Sequence, residues 1–390
     1  MTASNSESLN SFPDLVELDA LRLTVIVDNE VDTMSSASHE IGQSSQASKL
    51  YKDKRNLDKE KSTETVGGDH SHAHAHHQQP DHQTIRTVAF DFKDLCCGAH
   101  GLSILVTGIK DNVEHRVLFD TGPQPAIFLE NARRLEIEFD KIEVIVLSHW
   151  HIDHSGGMLA AVEKIREARN KQGLAPVLVD LHPDRPDQRG ALLTKPSAEH
   201  HQGLVEYVAW GKDPSFTELE TAGGKVTQND KAHTICDGFF GISGLIPRKT
   251  SYETGIPNHV RWSEDTKSWG SEPEIMDERY LVARVKSKGV VVLTGCSHAG
   301  VINVCQDVKR ALEENGESQL FFVVGGFHLA GASVETRIQA TVNDMLAINP
   351  SFMAPGHCSG WRAKSALEQA MPGKVVSLGV GSEFSIGKHS

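Results

Sequence analysis

The sequence predicts an α/β protein in which helices cover the outer faces of β-sheets. Short apolar runs rich in β-branched residues recur along the chain and read as strands. The early runs follow one another as hairpins, whereas the later ones alternate with amphipathic segments of helical period. Strands that alternate with helices pack as sheets with helical covers. The 390 residues suffice for one large domain or two ordinary ones.

The pattern assigns each element in turn. The first strand is expected at Leu21–Asn29. Further strands are expected at 87–92, 102–108, 115–122, 142–147, 175–183, 238–247, 280–295, 319–329 and 374–386. The run at 280–295 is predicted to be a hairpin that turns at Ser287–Gly289. Helices are expected at 126–137, 156–173, 301–316 and 333–348, whereas residues 194–237 give no clear pattern.

Composition divides the chain into three parts. Residues 1–33 form an N-terminal segment that carries the first strand. Residues 34–83 are dominated by Ser, Gln, Lys, Glu and His, and they hold too few apolar residues to order themselves, which predicts a disordered insertion. Its tract His70–His82 either binds metal ions loosely or is a solvated loop of biased composition. Residues 84–390 are expected to be the catalytic domain.

Net charge and cysteine spacing indicate which partners and which cellular compartment to expect. A net charge of −13 repels phosphate backbones, so nucleic acid is not expected as a partner. The six cysteines are scattered without a C-x-x-C pair, which favours reduced thiols. No signal peptide is recognised, and no apolar run approaches the ~20 residues that span a bilayer. We therefore expect a cytoplasmic protein with a small-molecule substrate; the oligomeric state stays open.

The stretch "LSHWHIDHSGG" contains the strongest functional signal. Four candidate metal ligands, His149, His151, Asp153 and His154, follow the apolar run "IEVIVL" directly. Side chains two residues apart in extended chain point the same way, so His149 and His151 can bind one ion. The turn before Gly156-Gly157 can direct the other two towards a second ion ~3.5–4 Å away. Such donors suit Zn²⁺, and also Fe or Mn.

Polar residues also end several other apolar runs. His298, His328 and His357 each follow a predicted strand. Strand ends on one side of a sheet lie together, so residues that follow them can line one site. Each could instead be a buried histidine with satisfied hydrogen bonds. Asp120 ends the run "HRVLFD", where it either caps a turn or supports the loop that carries the ligands.

These motifs resemble the metallo-β-lactamase superfamily. "HWHIDH" matches its H-x-H-x-D-H signature, and "LFDTG" matches the motif that precedes it. More narrowly, "GAHGLSILV", "VLTGCSHAG", "GGFHLAG" and "PGHCSG" resemble the dihydropterin–aminobenzene-phosphate synthase-like branch. The likeness covers residues 21–29 and about 87–386. It implies an αβ/βα sandwich of two mixed β-sheets flanked by helices, with a metal site along one edge.

The resemblance also assigns roles to individual residues. It implies that His149 and His151 bind one metal ion and that Asp153 and His154 bind a second. Asp153 is the expected catalytic residue, which orients the nucleophile and accepts its proton.

The remaining assignments depart from the usual pattern of the family. Cys296 stands where the superfamily has a bridging aspartate, and His298, two residues on, is a candidate replacement ligand. His328 matches the position of the last metal-binding histidine, with His357 as its rival or as a supporting group. His100, in "GAHGLS", is expected to line the same pocket.

The expected function is therefore that of a metal-dependent hydrolase, with two zinc ions as the first expectation for its cofactor. A metal-activated hydroxide would open a small lactam, lactone or related cyclic amide or ester. A neutral substrate suits the net charge of −13. Three alternatives remain: a phosphoesterase or pterin-related synthase, iron-based redox or sulfur chemistry, and a non-catalytic metal-binding module.

Overall fold

The computed structural model describes residues 10–50, 91–194, 205–313 and 319–387. The strands in these ranges are β1 (Glu17–Leu18), β2 (Ala20–Val27), β3 (Ser103–Lys110), β4 (Val113–Phe119), β5 (Ile142–Val146), β6 (Leu178–Leu181), β7 (Gln188–Thr194), β8 (Glu206–Ala209), β9 (Lys225–Gln228), β10 (His233–Ile235), β11 (Phe240–Ile242), β12 (His259–Ser263), β13 (Ser268–Ser271), β14 (Leu281–Val285), β15 (Gly289–Thr294), β16 (Leu320–Gly326), β17 (Phe352–Gly356) and β18 (Glu383–Gly387). The principal helices are α1 (Pro125–Arg134), α2 (Ile152–Ser155), α3 (Met158–Lys171), α4 (Phe216–Thr221), α5 (Val301–Ala311), α6 (Ile338–Ile348) and α7 (Trp361–Ala370).

Two seven-stranded mixed sheets form the body of the protein. The first has the order β18-β2-β3-β4-β5-β6-β9, antiparallel up to β4 and parallel from there. The second has the order β10-β11-β14-β15-β16-β17, with β1 parallel beside β14. Its strands β15, β16 and β17 are parallel. Parallel strands place their carboxyl ends at one edge, so the loops that follow them meet there.

Three apolar layers hold the sheets and helices together. One core lies between the two sheets, and a second lies between the second sheet and helices α5, α6 and α7. The third packs α1, α3 and α4 on the first sheet. Strand β16 is buried along its whole length because it has an apolar layer on each face. This layering confirms the predicted αβ/βα sandwich. No helix in the described ranges combines the length and apolar character needed to cross a bilayer.

A third, four-stranded sheet was not predicted. Its order is β13-β12-β7-β8, and no strand was predicted at any of these four positions. Strands β7 and β12 pair across a long sequence separation, with Arg189 opposite Arg261. Tyr207 and Trp269 stack on this sheet with ring centroids 5.6 Å apart. Such long-range pairing leaves no local signal in a sequence window.

The predicted insertion begins too early at residue 34. Ile41 is fully buried in the core between the sheets, and Ser44 forms a bridge with Glu383. The Gln46 side chain accepts a hydrogen bond from the backbone N–H of Cys96 at 2.7 Å. Residues 34–50 are therefore part of the folded domain. Residues 51–83, with the histidine tract, lie outside the described ranges. The strand predicted at 87–92 is described only from residue 91, where the chain enters a 3₁₀ turn at Phe92–Asp94.

Candidate metal centre

The candidate site lies where loops of the two sheets meet. Asp120 follows β4 and His149 follows β5, while His298 and His357 come after β15 and β17. Gly156 lets the motif lie close to the loop after β4, since a Cβ there would be 2.0 Å from the carbonyl oxygen of Pro123. The carboxyl ends of the parallel strands thus bring together side chains that are far apart in sequence.

Three imidazole nitrogens converge in what we call the first site: Nε2 of His149, Nδ1 of His151 and Nε2 of His298. The distances are 2.9 Å from His149 to His151, 3.1 Å from His298 to His149 and 3.2 Å from His298 to His151. All three side chains are buried. The sulfur of Cys296 lies within 4.8 Å of ligand atoms of His149 and His298.

Four side chains form the second site: Asp153, His154, Cys296 and His357. The Cys296 sulfur lies 3.2 Å from Nε2 of His154 and 3.2 Å from Nε2 of His357. Asp153 Oδ2 is 3.2 Å from Nε2 of His357 and 3.8 Å from Nε2 of His154. Cys296 belongs to groupings on both sides and therefore lies between the two sites.

Asp120 and Ser148 determine which nitrogen of His149 faces the first site. The Ser148 hydroxyl donates its one hydrogen to Asp120 Oδ2 at 2.7 Å. The same hydroxyl oxygen lies 2.9 Å from His149 Nδ1, so it accepts the hydrogen of that nitrogen. His149 Nε2 therefore presents a lone pair to the site.

His259, which we did not predict, does the same for His151. Its Nδ1 lies 2.7 Å from the carbonyl oxygen of Glu272, which can only accept, so Nδ1 carries the hydrogen. Burial, followed by the charge of Arg189, lowers the pKa of His259 to about 4 and keeps the ring neutral. His259 Nε2 then accepts from His151 Nε2 at 3.0 Å, which leaves His151 Nδ1 unprotonated.

Both histidines of the second site are also oriented from behind. His154 donates from Nδ1 to Asp120 Oδ2 at 2.6 Å. His357 donates from Nδ1 to Asn29 Oδ1 at 3.1 Å, and that oxygen is identified by the hydrogen bond it also accepts from the N–H of Gly101. The Nε2 atoms of His154 and His357 are therefore the ring nitrogens that face the second site, and they lie 3.2 Å apart.

This arrangement fits a bound cation. In the first site, neither His149 Nε2 nor His151 Nδ1 carries a hydrogen, so their 2.9 Å approach is not a hydrogen bond between neutral rings. Burial, and then the neighbouring histidines, hold the pKa of His149, His151 and His298 well below the usual histidine range. Three neutral imidazoles on one side, and two with a thiol and a carboxylate on the other, are donor sets that zinc accepts.

Electrostatics in the second site favour a positive charge. Burial alone would lower the pKa of His154, but the charges of Asp153 and Asp120 outweigh it and raise that pKa to about 9. Burial would raise the pKa of Asp153, yet His154 and His357 hold it far below its usual range. The carboxylate is thus ionised at neutral pH.

The structure groups His357, rather than His328, with the candidate ligands. His328 lies beside His298, with ring centroids 4.5 Å apart, but belongs to neither ligand grouping. His357 has a left-handed φ of 47°, and its N–H donates to Asp28 Oδ1 at 2.8 Å. The structure thus places His357 with the second group of candidate ligands and His328 beside His298, and the assignment of the last metal-binding histidine to His328 stays a prediction.

His100 lies at the solvent-exposed opening of the second site. Its side chain is 69 % exposed, and its Nε2 is 3.5 Å from Asp153 Oδ2. Asn29 uses its amide NH₂ to donate to His100 Nδ1 at 3.1 Å, since its oxygen is already an acceptor. The hydrogen of His100 is therefore on Nε2, facing Asp153 and the opening.

A buried ion-pair network that we did not predict holds the motif loop. Asp277 accepts from the N–H of Trp150 at 2.7 Å, and Arg189 donates to the Trp150 carbonyl at 2.8 Å. Arg189 is also paired with Asp277 and with Glu272. Trp150, in the middle of the motif, is thereby held through both of its backbone groups. Arg189 comes from β7, so the third sheet helps to position the candidate ligands.

Comparisons with known proteins agree with this fold. A family model described as a β-lactamase superfamily domain matches residues 115–233. A Methanocaldococcus jannaschii protein named 7,8-dihydropterin-6-methyl-4-(β-D-ribofuranosyl)-aminobenzene-5′-phosphate synthase is 24 % identical over 299 residues, covering 72 % of this chain and 90 % of that protein. An uncharacterised protein of the same organism is 29 % identical over 270 residues, 69 % of this chain and 88 % of its own. The crystal structure of Tm1679, a metal-dependent hydrolase of the β-lactamase superfamily, superposes with a TM-score of 0.57 at 22 % identity, covering 94 % of this chain and all of that one.

Proposed function

Because this chain has the metallo-β-lactamase fold and resembles that superfamily in sequence, we propose that it is a metal-dependent hydrolase of small molecules. The observation that carries the proposal is the pair of adjoining sites with Cys296 between them. His149, His151 and His298 would hold one zinc ion, and Asp153, His154, Cys296 and His357 would hold the other. When bound, zinc lowers the pKa of a coordinated water to about 7 and polarises the bond that is attacked.

The side chains around the sites supply the rest of the chemistry. Asp153 is ionised and 21 % exposed at its side chain, whereas the histidines of both sites are buried. Its carboxylate can thus meet the substrate side of the centre, orient the attacking water and receive its proton. His100 presents an N–H at the opening, where it can hold a carbonyl oxygen of the substrate.

For the substrate, we propose a neutral cyclic carbonyl compound: a lactam, a lactone or a related amide or ester. Arg248 lies near His298, but its guanidinium donates to the carbonyls of His298 and Glu274. Arg185 is likewise engaged by the carbonyls of Pro214 and Asp213. These cations already have partners, and the net charge of −13 does not favour a polyanion.

Trp210 supports the same substrate class. Its ring centroid lies 5.2 Å from that of His151 and 5.4 Å from that of His259, and the side chain is partly exposed. An aromatic face next to the first site can pack against a flat ring without a charged partner.

A second candidate is chemistry on a pterin-linked or phosphate-bearing substrate. This candidate is favoured by the Methanocaldococcus jannaschii relative whose name is that of a pterin-linked synthase. The match spans 90 % of that protein's length. The same two sites could serve attack at phosphorus as well as at carbon.

A substrate panel tests the proposal and separates the two candidates. Zinc-loaded protein is assayed with lactams, lactones, cyclic carbamates, phosphodiesters and a reduced pterin. We expect ring opening by the wild type, and a loss of at least ~100-fold in kcat/KM together with lost zinc in His298→Ala and His357→Ala. His328→Ala should keep its zinc, and His39→Ala, at an exposed histidine, is the control.

Other outcomes would change the assignment. Turnover restricted to the phosphodiesters or the pterin would replace the proposal by the second candidate. Tight zinc binding without turnover of any compound would favour a binding module.

A further inference from the structure

A second cluster of metal-binding side chains lies away from the centre described above. His115 is in β4, Glu143 is in the neighbouring β5, and Cys236 is in the turn between β10 and β11. One ligand atom from each lies within 4.8 Å of the others. Asp237 Oδ2 adds a fourth donor, 3.6 Å from His115 Nε2. The cluster thus combines imidazole, thiol and carboxylate, the donors that zinc prefers.

One ring nitrogen of His115 has no hydrogen-bond partner among the described residues. Its Nδ1 lies 2.9 Å and 3.0 Å from the two Glu143 oxygens, which are acceptors, so Nδ1 carries the hydrogen. Its Nε2 is buried and forms no hydrogen bond with any described residue. The ring is held edge-on to Phe239, with centroids 4.5 Å apart. Metal-binding histidines are commonly oriented in this way: one ring nitrogen donates to a carboxylate, and the other is free to bind the metal.

The local charge also favours a cation. In the described ranges, the ion pairs of Glu143 and Asp237 are both with His115, and neither carboxylate is paired with a lysine or arginine. Burial, and then these two carboxylates, raise the pKa of the Cys236 thiol. A bound cation would offset that negative field and favour the thiolate.

We propose that His115, oriented from behind by Glu143, binds a zinc ion through Nε2 together with Cys236 and Asp237, and that this ion links the two sheets. The first two residues belong to the first sheet, and the turn that carries the last two belongs to the second. An ion bound only by the folded sandwich stabilises it by mass action. The site does not depend on the proposed hydrolase, because it shares no residue with the centre.

Alkylation of the full-length wild-type protein tests the site directly. Metal-free protein is treated with iodoacetamide with and without zinc, and modified cysteines are quantified by peptide mass spectrometry. Zinc should slow modification of Cys236 at least tenfold, because a zinc-bound thiolate is a poor nucleophile. Cys97, exposed and outside the cluster, is the internal control and should react equally in both samples.

A variant provides a second measurement. Cys236→Ser should retain one zinc equivalent fewer than the wild type, and zinc should raise its Tm by roughly 2–4 °C less. Cys97→Ser should match the wild type in both respects, and Cys236→Ser should keep the hydrolase activity. Equal alkylation of Cys236 with and without zinc, or an unchanged zinc count in Cys236→Ser, would overturn the proposal.

Discussion

In the first site, His149 and His151 are each held from behind by a partner that leaves one ring nitrogen free to face the site. For His149 the partner is Ser148, itself held by Asp120, and for His151 it is His259. The motif predicted the residues that face the site but not His259, since the antiparallel pairing of β12 brings it there. Sequence spacing reveals groups on one loop, whereas partners from distant strands require the folded sheet.

We predict that His259→Ala weakens zinc binding at the first site by about 10–100-fold. The substitution removes the acceptor of His151 Nε2, so the ring can change tautomer or rotate. Competition against a chromophoric chelator measures the change. His328→Ala, which alters a neighbour of His298 outside both ligand sets, is the matched control. Equal affinities in wild type and His259→Ala would show that His151 does not need this partner.

Asp213 predicts a pH-dependent stability. It is buried, accepts a hydrogen bond from the Ser155 hydroxyl, and has a pKa raised to about 6, chiefly by burial. Between pH 4 and pH 6 the unfolded chain loses this proton while the folded one keeps it, so stability falls as pH rises. Above pH 6 the penalty is constant, at most about 3 kcal/mol.

Asp213→Asn should therefore be more stable than the wild type at pH 7.5, by about 1–3 kcal/mol, and nearly equal to it at pH 4. Urea unfolding at the two pH values measures the difference. Asp265→Asn, at an exposed position, should follow the wild type at both. A stabilisation of the same size at pH 4 would contradict the electrostatic explanation.

At the scale of elements, the boundary between folded and inserted chain was the main error. Low-complexity composition extends from residue 34, but Ile41 within this segment is buried in the core between the sheets. One buried apolar side chain in a polar stretch carries little weight in a composition window. By contrast, helix α3 was predicted nearly to its ends, because glycines flank its apolar period.

Deleting residues 51–83 and joining the ends with a flexible Gly/Ser linker should preserve the zinc content and lower the Tm only slightly. The deleted sequence is polar and offers little apolar surface to bury. Deleting 34–83 should cost several kcal/mol, because it also removes buried Ile41 and the contacts of Gln46. Thermal melts and elemental analysis compare the two. Equal destabilisation by both deletions would place a structural element within 51–83.

At the scale of the whole molecule, sheets covered by helices were predictable because each layer repeats a simple pattern of apolar strands and amphipathic helices, whereas the αβ/βα sandwich was expected from the family resemblance. The third sheet was not, since its strands have mixed burial and pair over long separations. The same limit applied to the choice between His328 and His357. Both follow strands, and only the folded edge distinguishes the one that joins the second site.

The candidate ligands come from both sheets, so zinc should stabilise the molecule as one unit. We expect metal-free protein to melt at a lower temperature, and zinc at a hundredfold excess over Kd to add about 2.7 kcal/mol per occupied site. Calorimetry with and without a chelator measures this. His149→Ala should show a smaller response than wild type. Two separate transitions, only one sensitive to zinc, would mean that the halves unfold independently.

The position of β2 between β3 and β18 has a consequence for biosynthesis. Strand β2 leaves the ribosome well before its partner β18, because residues 383–387 are made more than 350 residues later. Until then, one edge of β2 is open to pairing with other nascent chains. Likewise, His149 emerges long before His298 and His357. The side chains of both sites are therefore together only after His357 has been made, and until β18 is available we expect chaperones that shield β2 to matter.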